Sequence, residues 1–375
     1  MVNDRTPLLP QTQQASAGNF PSSNETGRTS SRKGAVLVAV CVFLGLLGLW
    51  RLSSANPEDT KTMQTLLSAA DRPLRANEGL NYLVVGDWGR EGFYNQSLLA
   101  TQMGRIAQEL GIEFVISAGD NFYDTGLTGE DDPAFSSSFT DVYTASSLQT
   151  TWYTVLGNHD YMGDVLAELS DALVERDSRW YCKRAFQLNY TLCSGTDTGS
   201  CDATVDMFFF DTTPFIDEYW SANSTETFDW RGLAPRVEQL QSQLDDLAEA
   251  LNSSTATWKI VVGHHTIRSI GHHGDYPELL EKLLPILEEH KVDVYINGHD
   301  HNVQHIKRSD SPVHFFTSGG GSKAYSGLRE YTEVQGVQFA YDGQGFLAVS
   351  MRPESISFTF YDVLGDAIYN YLLQK

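Results

Sequence analysis

Short apolar runs that end in a glycine followed by a polar side chain recur five times along this chain. In an open α/β sheet, ligands bind in the crevice beyond the carboxyl ends of the strands. Glycine lets the backbone turn tightly at such an end and approach a ligand closely. We therefore expect all five strand ends to converge on one crevice. The segments are Gly86-Asp87, Gly119-Asp120-Asn121-Phe122-Tyr123, Gly157-Asn158-His159-Asp160, Gly263-His264-His265 and Gly298-His299-Asp300-His301.

The residues around these segments alternate between strand and helix patterns. Short β-branched and aromatic runs predict strands, and apolar residues at helical spacing predict helices. Strand–helix units followed by consecutive strands indicate an α/β fold with mixed sheets. The predicted strands are Tyr82–Gly86, Phe114–Ser117, Trp152–Leu156, Met207–Phe210, Lys259–Val262, Val292–Ile296, Val303–Ile306, His314–Thr317, Phe346–Ser350 and Ser355–Tyr361. The predicted helices are Gln96–Leu110, Arg236–Leu251 and Glu278–His290.

The polar side chains at these strand ends are of the kinds that hold metal ions. Each segment alone is more often an ordinary turn or loop, but five in order at matching strand ends indicate a metal site. Seven donors are too many for one ion and suit two ions that share a bridging carboxylate. A phenolate favours a trivalent ion, whereas imidazole and amide oxygen suit a divalent one. The candidate ligands are Asp87, Asp120, Tyr123, Asn158, His264, His299 and His301.

The five motifs, GDWG, GDNFY, GNHD, VVGHH and GHDH, resemble those of the metallophosphoesterase family. Tyr123, in the pattern Gly-Asp-X-X-Tyr, narrows the resemblance to the purple acid phosphatases. Because no large domain precedes the motifs, the chain is similar to the small, tartrate-resistant type. The resemblance covers residues 79–375 and implies a four-layer α/β/β/α sandwich with mixed sheets.

The resemblance also implies a role for each candidate ligand. Asp87, Tyr123 and His301 would hold a ferric ion, and Asp120 would bridge the two ions. The remaining three candidates, which are Asn158, His264 and His299, would hold a divalent ion of iron, zinc or manganese. Charge transfer from the phenolate to the ferric ion would colour the protein purple.

Two histidines are candidate catalytic residues by the same resemblance. His159 follows a ligand directly and should face the phosphate, where it binds substrate and protonates the leaving group. His273 matches a second histidine on a loop, and His272 beside it is extra. The chain departs from the family at His265-Thr266, where relatives commonly have Tyr-Pro or His-Pro, and this change is expected to loosen the loop behind His264.

The implied activity is the hydrolysis of small phosphate monoesters by a metal-activated hydroxide. A ferric ion makes hydroxide available at low pH, and protonated histidine is also abundant there, so an acidic optimum is expected. Two alternatives stay open. One is a phosphoesterase of other metal content that acts on diesters or nucleotides, and the other is a non-catalytic, membrane-tethered scaffold on the same fold.

The charge of the chain argues against nucleic acid as a partner. Lys and Arg number 26 against 48 Asp and Glu, which gives a formal net charge of -22. Phosphate backbones need cationic partners, so such an acidic chain is not expected to bind nucleic acid.

The N-terminal part divides into a polar tail (1–33), an apolar segment (34–52) and a polar linker (53–78), followed by the catalytic domain (79–375). At roughly 1.5 Å per residue the apolar segment is barely long enough for a bilayer core of about 30 Å. It is interpreted as a signal anchor that leaves the tail cytosolic and the acidic body lumenal or extracellular. The alternatives are a signal peptide cleaved at Ser53-Ser54-Ala55, which would release a secreted body, and a buried core helix.

Asp4–Leu9 resembles an acidic dileucine signal, which adaptor proteins read on cytosolic tails. It favours a lysosome-like or vacuole-like membrane.

Sequence features of the body agree with export. Glycosylation acceptor patterns begin at Asn95, Asn189, Asn223 and Asn252. Cys193 and Cys201 flank a turn-rich stretch and are the expected disulfide pair, which would leave Cys182 as a free buried thiol.

Overall fold

The computed structural model describes residues 74–76, 79–193, 201, 203–329 and 336–375. The predicted polar tail (1–33), the apolar segment (34–52) and all of the linker except 74–76 lie outside these ranges. Among the helices within them, none is long and apolar enough to cross a membrane.

The described residues form strands and helices in alternation up to β9, and almost only strands after it. The strands are β1 (Leu74–Ala76), β2 (Leu80–Val85), β3 (Phe114–Ser117), β4 (Thr151–Thr154), β5 (Trp180–Cys182), β6 (Ala185–Leu192), β7 (Ala203–Phe210), β8 (Trp258–Val262), β9 (Val294–Asn297), β10 (Val303–Ile306), β11 (His314–Ser318), β12 (Val337–Tyr341), β13 (Gly345–Arg352), β14 (Ser355–Asp362) and β15 (Ala367–Gln374). The helices are α1 (Gln96–Leu110), α2 (Pro133–Phe135), α3 (Asn158–Tyr161), α4 (Val165–Glu168), α5 (Asp171–Arg176), α6 (Arg236–Ser253), α7 (Pro277–Lys282) and α8 (Leu284–Glu289).

Two mixed sheets contain all of these strands. Sheet I has the order β1-β6-β7-β8-β9-β11-β10-β12, and sheet II has the order β15-β14-β13-β2-β3-β4-β5. Strands β2 to β5 are parallel to one another, and so are β7, β8, β9 and β11. Because parallel strands end at the same edge of a sheet, each sheet presents one edge of carboxyl ends.

The long helix α1 illustrates how the local sequence sets the fold. Leu99, Met103 and Ile106 lie on one face at helical spacing and are buried against sheet II. The helix stops at Gly111, whose φ of 62° is left-handed and whose N–H donates to the carbonyl of Ala107. Glycine adopts this conformation at little cost, and it returns the chain to the next strand.

The two sheets pack face to face and are covered by helices on their outer sides. Phe316 of sheet I stacks on Phe358 of sheet II, with ring centroids 4.1 Å apart. Helix α1 packs on sheet II, whereas α6 and the α7–α8 pair cover sheet I. The four-layer α/β/β/α arrangement with mixed sheets is therefore confirmed.

Two features of the fold differ from the sequence prediction. The predicted helix Glu278–His290 is two helices, α7 and α8, because Pro285 lacks the N–H that a continuous helix needs. Strands β1, β5, β6, β12 and β15 were not predicted. The first two are only three residues long, and polar residues interrupt the apolar runs of the other three.

The predicted cysteine chemistry is confirmed. Cys193 and Cys201 form a disulfide, and Cys182 is a free, buried thiol at the end of β5.

Candidate metal centre

All five glycine-containing segments meet at one place in the structure, as predicted. Strands β2, β3 and β4 of sheet II and β8 and β9 of sheet I bring their carboxyl ends together there. Each candidate ligand follows one of these strands within a few residues, and nearly all of them are buried. The exposed fraction is at most 7% for six of the seven, which are Asp87, Asp120, Asn158, His264, His299 and His301.

The first group of donors surrounds the phenol of Tyr123. Its oxygen lies 3.1 Å from Asp87 Oδ1, 2.8 Å from Asp120 Oδ2 and 3.0 Å from His301 Nε2. His301 Nε2 is also 3.5 Å from Asp87 Oδ1. Four donor atoms from four different side chains therefore converge within the reach of a single ion.

The second group surrounds the imidazole of His264. Its Nε2 lies 3.4 Å from Asp120 Oδ1, 3.3 Å from Asn158 Oδ1 and 3.2 Å from His299 Nδ1. Asp120 thus belongs to both groups, with Oδ2 facing Tyr123 and Oδ1 facing His264. A carboxylate in this position is suited to bridge two ions.

Hydrogen bonds to the outer nitrogens fix the orientation of the ligand imidazoles. His264 Nδ1–H donates to the carbonyl of Ala118 (2.8 Å), and His301 Nδ1–H donates to the carbonyl of Lys323 (2.6 Å). Each ring therefore turns its Nε2 toward the centre. His299 is held the other way round, with Nε2 2.6 Å from the hydroxyl of Tyr276 and Nδ1 facing the centre. Such outer partners are typical of metal-binding histidines.

The backbone around the centre is shaped for close approach. Asp87, Asp120 and His299 have φ values of 62°, 51° and 70°, which non-glycine residues rarely adopt. A Cβ at Gly157 would lie 2.2 Å from Asp120 Oδ1, and a Cβ at Gly298 would lie 2.5 Å from Asp87 Oδ2. Strained residues of this kind persist where the surrounding structure holds them, and they cluster at functional sites.

The electrostatics of the buried donors also favour bound cations. Burial raises the pKa of Asp87 well above its usual range, helped by the charge of Asp120. Burial also acts to raise the pKa of Asp120, but His264 and His159 hold it well below its usual range. Both carboxylates raise the pKa of His264 to about 9 against the effect of burial, and burial lowers that of His301 to about 3.

Buried charges are costly unless they are paired or coordinate a metal. The donor types, the shared carboxylate and the absence of room for any Cβ at Gly157 together fit a pair of metal ions.

The two predicted catalytic histidines flank the centre on different sides. The ring centroid of His159 is 4.3 Å from that of Tyr123, and its Nε2 is 4.0 Å from Asp120 Oδ2. His273 is exposed, and its ring centroid is 4.1 Å from that of His299. A cavity of about 570 Å³ opens at this point, lined by His272, His273, Ala324, Tyr325 and Ser326.

The loop behind His264 is held by side chains in place of the missing proline. His265 Nδ1 lies 3.0 Å from the Thr212 hydroxyl, and its Nε2 lies 3.0 Å from the Tyr219 hydroxyl. Thr266 donates to the carbonyl of Gly274. These contacts tie the loop to neighbouring segments. With both ring nitrogens engaged, His265 supports the loop, although it lies close enough to His264 and His299 to join a ligand group.

Sequence reasoning missed three side chains that contact the candidate ligands. Arg90 places its guanidinium carbon 3.6 Å from the ring centroid of Tyr123, and Tyr325 stacks on His301 with centroids 4.3 Å apart. Tyr276 contacts His299 as described above. None of the three lies in a strand-end motif, so the sequence carried no signal for them.

A buried polar network supports the segments that carry Asp120 and Asn158. Asp160 accepts hydrogen bonds from the backbone N–H groups of Asn121 and Gly157, both at 2.8 Å. The amide of Asn121 donates to Asp160 and Glu168. Burial raises the pKa of Asp160 to about 7 and that of Glu168 well above its usual range. The network ties the ends of β3 and β4 together.

Comparisons with known proteins agree with this arrangement. Residues 80–303 match the model of the calcineurin-like phosphoesterase family. The chain is 46% identical to purple acid phosphatase 4 of Arabidopsis thaliana, over 90% of this chain and 95% of that protein. It is 28% identical to human (Homo sapiens) tartrate-resistant acid phosphatase type 5, over 80% of this chain and 92% of that protein.

A solved structure shares the fold over most of its length. It is the Plasmodium protein GAP50, described as the anchor in the inner membrane complex. The TM-score is 0.66 with 25% sequence identity, and the match covers 80% of this chain and 89% of that one.

Proposed function

This chain belongs to the calcineurin-like phosphoesterase family, within its purple acid phosphatase group, and on that premise we propose that it hydrolyses small phosphate monoesters at acid pH. The group consists of phosphoric monoester hydrolases with two metal ions, and the chain is an enzyme of that class. The finer proposal is that the two ions are Fe(III) and a divalent ion of iron, zinc or manganese.

The observation that carries this proposal is the position of Asp120 between two groups of donors. In the proposed centre, Asp87, Tyr123 and His301 would hold the ferric ion, and Asp120 would be shared by both ions. The divalent ion would be held by the other three donors, which are Asn158, His264 and His299. The phenol of Tyr123 supports the assignment of the trivalent ion to the first group, because a phenolate is a hard, anionic donor.

The chain's own residues then position the substrate and the proton. When bound, the two ions would neutralise the phosphoryl oxygens and make hydroxide available at low pH. His159 Nδ1–H donates to the carbonyl of Asp124, which leaves Nε2 near Asp120. We assign His159 as the general acid that protonates the leaving alcohol. His273, at the edge of the cavity, contacts the phosphoryl oxygens or shares this proton transfer.

The proposal is tested on the purified protein by metal analysis, a visible spectrum and a pH profile. We expect two metal ions per chain with iron among them, a visible charge-transfer band, and fastest hydrolysis of an aryl phosphate at acid pH. An optimum above pH 7 would contradict the acid mechanism. A colourless, active protein without iron would favour the alternative that acts on diesters or nucleotides.

A non-catalytic scaffold is a second candidate because GAP50, which shares the fold, is described as an anchor. The complete donor set argues against it, since all seven candidate positions carry side chains able to bind metal. Retention of metal without hydrolysis of any phosphoester would support this candidate.

We further propose that residues 34–52 anchor the chain in a membrane, with tail 1–33 cytosolic and the catalytic domain 79–375 on the other side of linker 53–78. Asp4–Leu9 would bind adaptor proteins and direct the chain to a lysosome-like or vacuole-like membrane. Cleavage of the apolar segment would instead release a secreted enzyme. An acidic lumen would suit the acidic optimum proposed above.

A further inference from the structure

A second cleft, outside the proposed metal centre, is lined by three arginines. Its volume is about 280 Å³. Pockets that bind small molecules begin at about 300 Å³, so the cleft is of the size of a small one. We call it the arginine cleft, after Arg268, Arg308 and Arg329. Ser269 and Asp275 also line it, so the cleft lies at the base of the loop 269–274 that carries His273.

The charge of the arginine cleft is opposite to that of the whole chain. Three guanidinium groups face one lining carboxylate, Asp275, and a second, Asp310, pairs with Arg308 through two hydrogen bonds of 2.9 and 2.8 Å. Among the residues that line the cleft, three are cationic and one is anionic, in a chain of net charge -22. Guanidinium groups bind phosphate-like oxyanions with matched geometry.

One arginine also lacks a partner for a buried donor. Arg268 uses Nη1 to bind Asp275 Oδ2 at 2.9 Å. Its Nε is buried, and among the described residues it has no hydrogen-bond partner. An unpaired buried donor costs free energy, and a hydrogen-bond acceptor bound in the cleft would remove that cost.

The walls of the arginine cleft hold the loop of His273 in place. Arg329 Nη2 donates to the carbonyls of His272 (2.6 Å) and His273 (3.3 Å). The backbone N–H of His273 donates to Asp300 Oδ1 at 2.8 Å, and Asp300 lies between the candidate ligands in the sequence. A ligand that fixes Arg329 therefore also fixes the loop beside the metal centre.

We propose that the arginine cleft binds a tetrahedral oxyanion, namely free inorganic phosphate, and that the bound anion holds loop 269–274 and with it His273. The choice of phosphate rests on the proposed function, because phosphate is the product of that reaction. The cleft would then make the position of His273 depend on the phosphate concentration.

Equilibrium dialysis of the full-length protein with labelled phosphate tests this proposal. We expect two bound phosphates per chain in the metal-loaded protein, one at the metals and one in the cleft. After removal of the metals with a chelator, one should remain. In the metal-depleted protein, Arg308→Gln should weaken this binding about tenfold or more, as expected for loss of a charge-assisted contact.

Matched variants separate the cleft from general charge effects. Arg105→Gln removes an exposed arginine elsewhere on the surface and should leave binding unchanged. Arg308→Lys keeps the charge and should bind more tightly than Arg308→Gln. Phosphate should also slow hydrogen exchange at the amides of His273 and Gly274 in the metal-depleted wild type, but not in Arg308→Gln.

Two results would overturn the proposal: no phosphate bound to the metal-depleted wild type, or equal affinity in Arg308→Gln. Tighter binding of glycerol phosphate than of phosphate would assign the cleft to an ester substrate and overturn the choice of the free anion. Failure of the proposed function would give another result. The protein would not hydrolyse phosphate monoesters and would not bind a phosphate at the metals, but it would still bind one phosphate in the cleft.

Discussion

At the level of single residues, Asp120 is the position on which the candidate centre depends. Its φ of 51° turns the carboxylate so that one oxygen lies 2.8 Å from the Tyr123 phenol and the other 3.4 Å from His264 Nε2. An amide side chain would offer only one oxygen, without charge, and could not serve both groups. The side chains around Asp120 therefore give the sharpest tests of the proposed centre.

We expect Tyr123→Phe to abolish the visible charge-transfer band while the protein stays folded. The substitution removes only the phenol oxygen, which lies within 3.1 Å of both Asp87 and Asp120. The band is measured by absorption spectroscopy at equal iron content, and the fold by circular dichroism. Tyr325→Phe, next to the centre but outside the donor groups, is the matched control and should keep the band. A band that survives in Tyr123→Phe would remove Tyr123 from the ligand set.

We expect Gly157→Ala to lower metal content by tenfold or more. The φ of Gly157 is −110°, which alanine tolerates, so the effect comes from the new Cβ, which would lie 2.2 Å from Asp120 Oδ1. Metal content is measured after dialysis against trace metal.

Gly111→Ala is the control for this substitution. No atom lies within 4 Å of the Cβ that this substitution adds, but Gly111 has a left-handed φ of 62°. It should cost about 1 kcal/mol of stability and keep its metal. If Gly157→Ala kept its metal as well, the crowding argument would be wrong.

At the level of elements, the strand ends position the candidate ligands, and this is the part that the sequence predicted well. Apolar runs closed by glycine located β2, β3, β4, β8 and β9, because parallel strands with most of their residues buried read as largely apolar segments. Strand β6 alternates exposed and partly buried residues and was missed. The contact between Tyr276 and His299 was also missed. The two residues are 23 positions apart in the sequence, and only folding brings them together.

A buried histidine pair on β10 and β11 predicts that stability falls in acid. His305 Nε2 lies 3.0 Å from His314 Nδ1, and His305 Nδ1 lies 2.8 Å from the Tyr369 hydroxyl. Burial lowers the pKa of His305 to about 2 and that of His314 to about 4, with Lys307 adding to both shifts. Below the usual histidine pKa of about 6.5, these two histidines bind protons in the unfolded chain but stay neutral in the folded chain.

The free energy of unfolding should therefore decrease as the pH falls from about 6.5 to 4, by up to about 1.4 kcal/mol per pH unit for each histidine. The double variant His305→Gln/His314→Gln should flatten this slope, and His290→Gln should keep it. Denaturant unfolding at fixed metal content measures the slopes. Equal slopes in wild type and double variant would show that the pair does not control acid stability.

At the level of the whole molecule, both donor groups draw on both sheets. His301 of the first group and both histidines of the second follow strands of sheet I, whereas the carboxylates, Tyr123 and Asn158 follow strands of sheet II. Removing the ions should therefore weaken the contact between the sheets as well as the activity.

We expect the expressed full-length chain to carry N-linked glycans, because the proposed topology exposes the body to the lumen. Asn223 and Asn252 are exposed and begin acceptor patterns. Glycosidase treatment should increase gel mobility, and Asn223→Gln should remove one step of the shift. Asn370→Gln, at an exposed asparagine outside any acceptor pattern, is the control. An unmodified body would place it on the cytosolic side.

The order of the strands along the chain has a consequence for how the protein matures. Strand β2, which leads to Asp87, lies between β3 and β13 in sheet II, so its final neighbour is only encoded after residue 344. His301 also comes late. Until the ribosome has passed these positions, the growing chain lacks both the donor His301 and strand β13, which pairs with the strand that leads to Asp87. Any metal that needs the complete donor set is therefore bound late in synthesis, after both His301 and strand β13 have been made.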